Sequence, residues 1–373
     1  MRCGYYDAGL CRSCTWLETP YAEQVDAKLR HAASLLEPWP EIDWLPPVTG
    51  PEQGFRNKAK MVVAGTVDAP TLGILDPFGH GTDLRECPLH EPVLHDALPA
   101  LASFVTRARL TPYDVPTRAG ELKHVLATAS PDGELMVRFV LRSTESLARI
   151  RKHLPSLVAD LPHLRVVSVN LQPRHAAVLE GEREEPLLGD SLAFRVDGIT
   201  LHLRPQSFFQ TNTFVASSLY REASAWVDEI EPSSLWDLYC GVGGFALRLA
   251  RADRDVVGVE LSGAAVEAAR LSASEAGVSA RFIAADATTW MASQPSAPDL
   301  VVVNPPRRGI GPDLAGWLEQ SGVRHVLYSS CNPTTLSRDL AAMPSLRPVR
   351  ARVFDMFPQT GHQEVLVLAT RTS

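Results

Sequence analysis

From Phe214 onward, apolar and polar positions follow a regular alternation of short continuous apolar runs and amphipathic stretches. The pattern predicts a helix over Phe214 to Ile230, a strand over Leu235 to Tyr239, a helix over Phe245 to Ala250 and a strand over Val256 to Glu260. It continues with a helix over Ala264 to Ala276, strands over Ala280 to Asp286 and Leu300 to Asn304, a helix over Leu314 to Gln320 and a strand over Val326 to Ser329. Continuous apolar strands separated by helices are buried on both faces, which predicts an α/β fold of the Rossmann-like, doubly wound and mainly parallel kind. Two more strand-like runs, Ala351 to Phe354 and Glu364 to Leu368, end the chain around a loop containing proline and glycine.

The first half is less regular. A cysteine-rich opening leads into a helix over Tyr21 to Leu36, and Pro46-Pro47-Val48-Thr49-Gly50-Pro51 then breaks the pattern. Strands are expected near Ala59 to Val67, Leu135 to Leu141, Arg165 to Leu171 and Leu192 to Leu203, with helices near Val93 to Arg109 and Ser143 to His153. Glu180 to Pro186 reads as a polar turn, and the domain boundary falls at Arg204-Pro205. The division expected is an N-terminal segment over 1–90, packed with a mixed α/β central domain over 46–204, and the doubly wound domain over 205–373.

With 373 residues the chain is long enough for two or three domains. Its 45% apolar and 21% charged residues describe an ordinary globular protein, and a net charge of −7 argues against indiscriminate nucleic-acid binding while leaving room for a local basic surface. The N-terminus lacks the apolar core of a secretion signal, and no apolar run is long enough for a membrane helix, so a cytoplasmic location with no membrane partner is expected. In that compartment six cysteines point to metal or catalysis rather than disulfides. Cys3, Cys11, Cys14 and Cys87 lie in the first quarter, whereas Cys240 and Cys331 lie in the last third. Two separate chemistries follow. The first four thiolates suffice for a tetrahedral zinc or for a 4Fe-4S cluster, and their spacing does not choose between the two.

The strand over Leu235 to Tyr239 runs into Cys240-Gly241-Val242-Gly243-Gly244-Phe245 and then a helix. Glycines such as Gly241 and Gly243 let the backbone turn sharply against a ligand, and the helix start supplies free N–H groups. Glu260 ends the next strand, where a carboxylate accepts from two ribose hydroxyls. A nucleoside cofactor is therefore expected. The loop lacks the third glycine of a dinucleotide fingerprint, which favours S-adenosylmethionine over NAD. Asn304-Pro305-Pro306-Arg307 follows the fourth strand, with Asn304 free to address cofactor or base. Asn-Pro-Pro also occurs in amino-group methyltransferases, but Arg307 stands where those enzymes place a stacking aromatic.

Cys331 follows the strand over Val326 to Ser329, at the carboxyl end where open α/β sheets bind ligands, which makes it a candidate nucleophile. Phe55, Arg56, Lys58 and Lys60 form a basic and aromatic group suited to phosphates, with Arg118 and Lys123 as an extension, and Phe208 or Phe209 as a stacking platform for an unpaired base.

Taken together, these segments resemble the RNA uracil-C5 methyltransferases, most strongly members acting on 23S rRNA. The resemblance spans almost the whole chain: the four early cysteines, Gly54-Phe55-Arg56-Asn57-Lys58-Ala59, Arg204 to Asn212, Asp237 to Phe245, Asn304 to Arg307, Ser330-Cys331-Asn332 and His362-Gln363-Glu364. It implies cofactor contacts from Gln210, Tyr239, Glu260 and Asn304, a nucleophile at Cys331 and a general base at Glu364; His362 is a weaker candidate base, more readily structural. Asp286, at the end of the third strand, is a further cofactor candidate. The resemblance also implies 23S rRNA as partner, no obligate protein partner, and a 4Fe-4S cluster on Cys3, Cys11, Cys14 and Cys87 that ties down the N-terminal segment. Larger members carry an N-terminal OB-type barrel before the cysteines; this chain opens at the cysteines, so the central region, 46–204, is the expected RNA-binding domain. Two alternatives follow: methylation of a uracil at another rRNA or tRNA site, and an iron-sulfur redox-sensing RNA-binding module.

Overall fold

Leu300–Val303 is buried at all four positions, as a strand covered on both faces must be, and it lies inside an eight-stranded sheet. The computed structural model describes residues 1–176 and 178–372, in two units. One holds Met1–Cys14, Glu52–Phe194 and Arg204–Gln206; the other holds Thr15–Pro51, Arg195–Leu203 and Ser207–Ser373.

The second unit contains the eight-stranded sheet. Across it the strands run Asp43–Val48, Leu346–Phe354, Glu364–Arg371, His325–Ser330, Leu300–Val303, Ser234–Leu238, Asp255–Glu260 and Arg281–Ala284. The last five pair in parallel, while Glu364–Arg371 pairs antiparallel with both of its neighbours. Ser234–Leu238 has its successor in the chain on one side and Leu300–Val303 on the other. The strand order reverses there, and such a switch point opens a crevice at the carboxyl ends of the strands. Beneath the sheet Trp236 stacks on Trp317 with ring centres 5.7 Å apart and meets Trp290 edge-on at 4.7 Å. Asn212 and Ser262 cap the helices Thr213–Ile230 and Gly263–Ala276 by accepting from Val215 and Ala265, each cap adding about 1 kcal/mol.

The first unit carries a seven-stranded sheet in the order Gly81–Asp83, Pro70–Leu75, Lys58–Gly65, Leu122–Ala129, Leu135–Leu141, Leu164–Leu171 and Arg183–Leu188. Within it Leu135–Leu141 pairs in parallel with Leu164–Leu171, the two being joined through the helix Leu147–Asp160. Leu94, Leu98, Leu101, Phe104 and Val105 of the helix Pro92–Arg107 pack in the same apolar core as Leu122, Val125, Val137 and Phe139.

Several elements differ from the sequence reading, each for a local reason. Pro46 and Pro47 lie inside the strand Asp43–Val48, which is tolerated because that strand is at the sheet edge and pairs on one side only. The Glu180 to Pro186 turn is an edge strand in part: Arg183–Leu188 pairs with Leu164–Leu171, its charges suiting an exposed edge. Leu192 to Leu203 is two strands, Leu192–Val196 and Ile199–Leu203, about a turn in which Asp197 and Gly198 both take positive φ. The helix Tyr21–Leu35 and the strand Asp43–Val48 fall in the second unit, together with the C-terminal residues. Among the described residues no helix is long and apolar enough to cross a membrane.

Candidate active site

Two clusters meet at the carboxyl ends of the parallel strands of the second unit. The first surrounds the glycine loop. After Ser234–Leu238 the chain enters left-handed backbone at Tyr239, φ 65°, and again at Gly241, φ 55°, and Gly243, φ 87°. Left-handed backbone costs a non-glycine residue about 1–2 kcal/mol, and such strain persists where the surroundings enforce it, commonly at ligand-contacting turns. Gly244 has no room for a side chain, since a Cβ there would lie 2.6 Å from the Tyr220 hydroxyl. Phe208, Phe209, Gln210, Tyr239, Gly241 and Asn304 line one cleft at this loop.

Glu260 braces the loop from the adjacent strand. Its Oε2 accepts from the Gly241 N–H at 3.2 Å and its Oε1 from the Ser262 N–H at 2.9 Å. Asp286, by contrast, caps the helix Ala287–Ala292: its Oδ1 accepts from the Thr289 N–H at 2.9 Å, which holds its carboxyl below the usual range. Asp237 was not among the sequence candidates. Its Oδ2 accepts from the Ala246 N–H at 2.9 Å, whereas its buried Oδ1 has no partner among the described residues, and burial pushes the acid up to about 7. The sequence signal was a lone carboxylate in an apolar strand, Leu235-Trp236-Asp237-Leu238.

The second cluster joins three strand ends. Glu364 begins Glu364–Arg371 and is 1% exposed; its Oε1 accepts from the Ser329 hydroxyl at 2.5 Å and from Asn304 Nδ2 at 3.4 Å. Asn304 Nδ2 also donates to Ser329 Oγ at 2.9 Å, so Asn304 belongs to the cleft and to this cluster at once. Burial pushes Glu364 up to about 7, against the pull of the two donors. Cys331 directly follows His325–Ser330, and burial followed by the field of Glu364 raises its thiol. The charge and hydrogen bond of Arg307 pull the other way. Asn332 fixes the exit from this strand, capping the helix Pro333–Ala341 through Thr334 and donating to the Arg307 carbonyl at 3.0 Å. Arg307 and Ser329 are therefore site residues that the sequence reading left without a role there. His362 lies exposed in the loop before Glu364, its ring 6.2 Å from that of Phe357.

A strand-end thiol, a neutral-leaning acid and a glycine loop for a nucleoside make a surface for covalent chemistry on a flat ring. The methyltransferase-domain family pattern matches residues 236–308, and that of tRNA (Uracil-5-)-methyltransferase matches residues 294–372. A relative from Escherichia coli strain K12, named 23S rRNA (uracil(747)-C(5))-methyltransferase RlmC, is 48% identical over 374 residues, covering 100% of both chains. This chain belongs to the RNA uracil-C5 methyltransferase family. A relative of the same name from Shigella boydii serotype 4 matches at 48% identity over 100% of each chain. Among solved structures, the tRNA (uracil-54, C5)-methyltransferase of Pyrococcus abyssi, in complex with S-adenosyl-L-homocysteine, aligns with a TM-score of 0.80 at 26% identity. That alignment covers 96% of this chain and 85% of the archaeal one. The α/β fold expected from periodicity, and the Rossmann-like methyltransferase domain expected from the resemblance, are thereby established.

The expected RNA-binding residues divide. Phe208 is 72% exposed, a ring open to stacking, whereas Phe55 is 4% exposed and its ring belongs to the interior of the first unit. Arg56 and Lys58 are half-buried, and burial beside Lys60 lowers Lys58 to about 8. Lys123 does not extend a basic surface: it is buried, donating to Gln172 Oε1 at 2.5 Å and to the Arg174 carbonyl at 2.7 Å.

Cys3, Cys11, Cys14 and Cys87 are all free thiols in the first unit. They share one neighbourhood, because Cys14 is pushed up to about 11 by burial and then by the fields of Cys87, Cys11 and Cys3, with Arg56 opposing. Among the described residues no three such side chains close into a metal-holding set. The four sulfurs match the donor set of a cluster in number and type, and their mutual repulsion is what a bound cation or cluster would relieve.

Proposed function

We propose that this protein methylates carbon 5 of a uridine in 23S rRNA, with Cys331 as covalent nucleophile and Glu364 as general base. The observation that carries the reading is the convergence of Cys331, Glu364, Ser329 and Asn304 at adjoining strand ends, with Asn304 shared by the glycine-loop cleft. The relatives' names supply the substrate and the position class.

Carbon 5 of uracil is a weak nucleophile, and addition of a thiolate at carbon 6 turns the ring into an enolate that is nucleophilic at carbon 5. Cys331 forms that carbon–sulfur bond, and Arg307 favours the thiolate it needs. Gln210, Tyr239, Glu260 and Asn304 would hold S-adenosylmethionine along the loop of Gly241 and Gly243, and the cofactor would supply the methyl group. Glu364 then accepts the proton from carbon 5. The electron pair left on that carbon re-forms the ring double bond and expels Cys331 as thiolate. An acid near neutrality suits this step, since it is partly ionised at physiological pH and gives up its proton readily. Phe208 offers an exposed ring for a base unstacked from folded RNA.

We further propose a 4Fe-4S cluster on Cys3, Cys11, Cys14 and Cys87 with a structural role, supported by the four thiols' shared electrostatic neighbourhood. Anaerobically purified protein should be brown and hold about four irons per chain; colourless protein with stoichiometric zinc would overturn this.

The deciding experiment for the activity uses 23S rRNA fragments carrying tritium at uridine carbon 5. Stoichiometric tritium release with S-adenosylmethionine, and a 5-methyluridine mapped in the fragment, is the expected result. Methyl incorporation without tritium release would place the methyl elsewhere and overturn the proposal.

A further inference from the structure

Glu364 is delivered by a loop. Residues 355–363 connect the antiparallel strands Leu346–Phe354 and Glu364–Arg371, in which Phe354 pairs with Glu364 across the closing end. Pairing with Phe354 holds the Glu364 backbone on one side, and a nine-residue connection of this kind leaves the chain that enters it free to shift unless something fixes it.

The fixing groups come from the helix Tyr21–Leu35, more than three hundred residues earlier in the chain. Lys28 Nζ donates to Asp355 Oδ1 at 2.5 Å and to the Phe357 carbonyl at 3.1 Å, and both ionic side chains are 0% exposed. The Tyr21 hydroxyl donates to the other carboxylate oxygen, Asp355 Oδ2, at 2.7 Å. Gln24 grips further along: its Nε2 donates to Gln359 Oε1 at 3.0 Å and its Oε1 accepts from the Gln359 N–H at 2.9 Å. Trp16, just before the helix, donates its N–H to the Gln359 carbonyl at 3.0 Å. Gln359 is held at φ 68°, a left-handed conformation that a loop residue adopts here under two-sided hydrogen bonding. A Cβ at Gly361 would lie 3.0 Å from the Trp16 ring, so the loop is packed as well as bonded.

Tyr21, Gln24 and Lys28 stand at i, i+3 and i+7, the spacing of one helical stripe. Gln24 and Lys28 of that stripe are buried yet polar, where packing alone would place apolar side chains, and Tyr21 is half-buried beside them. A buried ion pair contributes little net stability, because desolvating two charges offsets their attraction; what it can supply is a single conformation. We propose that this stripe, with Lys28 at its centre, is a positioning device for the catalytic base: it holds the 355–363 loop so that Glu364 meets the proton on carbon 5. The proposal rests on Glu364 being that base. Lys28 touches no reacting atom and acts through Asp355 and the loop.

The step at stake is the last one, loss of the carbon-5 proton and release of Cys331. A displaced Glu364 leaves thiolate addition and methyl transfer in place and delays release, so the methylated RNA stays bonded to the protein. The test follows one round of methylation by full-length Lys28→Met and Tyr21→Phe proteins on a 23S rRNA fragment. Methyl incorporation, denaturant-resistant RNA–protein adduct and S-adenosylmethionine affinity are read together, with Glu364→Gln as reference. Lys28→Met should accumulate adduct at least about tenfold above the parent, a part of the 10²- to 10⁴-fold that a positioned base supplies, with cofactor affinity unchanged. Tyr21→Phe, which removes one hydroxyl and keeps the ion pair, should do so to a lesser degree and covers the case in which Lys28→Met fails to fold. If Glu364→Gln accumulates adduct and folded Lys28→Met or Tyr21→Phe does not, the positioning role is refuted. If Glu364→Gln accumulates none, the base assignment itself fails. A uniform fall in methyl incorporation and adduct, tracking the folded fraction, would mark the stripe as structural only and overturn the proposal.

Discussion

The Ser329 hydroxyl lies 2.5 Å from Glu364 Oε1, and the strand that carries Ser329 delivers the thiol of Cys331 two residues later. One strand end therefore positions the sulfur and tempers the acid. A donor to a carboxylate favours its charged form, so the serine works against the burial that raises Glu364 to about 7. Ser329→Ala should move the pH dependence of adduct breakdown to higher pH. A rapid-quench pH profile measures it, and an unmoved midpoint would mean that this hydroxyl does not govern the acid.

Replacing Cys331 by alanine removes the proposed nucleophile. Turnover should fall by at least about 10³-fold, the scale on which loss of a nucleophile acts, while S-adenosylmethionine still binds at the separate glycine loop. Calorimetric titration of cofactor into the variant, beside a methylation assay, checks both halves. Full methylation by Cys331→Ala would refute covalent catalysis.

Glu364→Gln should retain methyl transfer and trap the RNA covalently, visible as a retarded band under denaturing electrophoresis. In the parent enzyme the release step should speed up as pH rises, with a midpoint at about 7 where the buried acid ionises. A release rate flat between pH 5 and pH 9 would assign the proton to another group.

The same acid makes a statement about folding. Between its ordinary value of 4.5 and its native value of about 7, Glu364 keeps a proton that the unfolded chain has released. Its neutral form thus contributes stability that is complete below about pH 4.5 and lost as pH rises through about 7. Glutamine carries no such dependence. Thermal unfolding of Glu364→Gln relative to the parent should therefore improve steadily from acid to neutral pH; a constant difference would contradict the raised value.

On the first unit, neutralising Arg56 and Lys58 together should weaken RNA binding and flatten its salt dependence, by roughly 0.7 to 0.9 in slope for each phosphate that no longer has a cation beside it. Filter binding across a salt series reads both quantities. Unchanged affinity and slope would remove this strand from the RNA surface.

The doubly wound half was legible because a strand buried on both faces must be apolar throughout, as Leu300–Val303 is, and because Gly241, Glu260 and Asn304 fall at strand ends whatever the loop details. Cys331 could be placed for the same reason. Edge strands were less visible: Asp43–Val48 contains two prolines and Arg183–Leu188 begins with three charged residues, since an edge needs neither a full set of donors nor two apolar faces. Phe55 shows the limit of composition, because Arg56 and Lys58 beside it signal a surface while its own ring is interior. Arg307 and Ser329 gain their roles only where the chain folds them against Cys331 and Glu364, a proximity that no spacing encodes.

The strand Asp43–Val48 completes its sheet by lying beside Leu346–Phe354, so the earliest-made edge of that sheet must wait for almost the last-made strand. At a synthesis rate of about 5–20 residues per second, the wait over about 300 residues is roughly 15 to 60 seconds. Throughout that interval Lys28 of the helix Tyr21–Leu35 has no Asp355 to pair with, so the ion pair that holds the base-bearing loop closes only after residue 355 has been made.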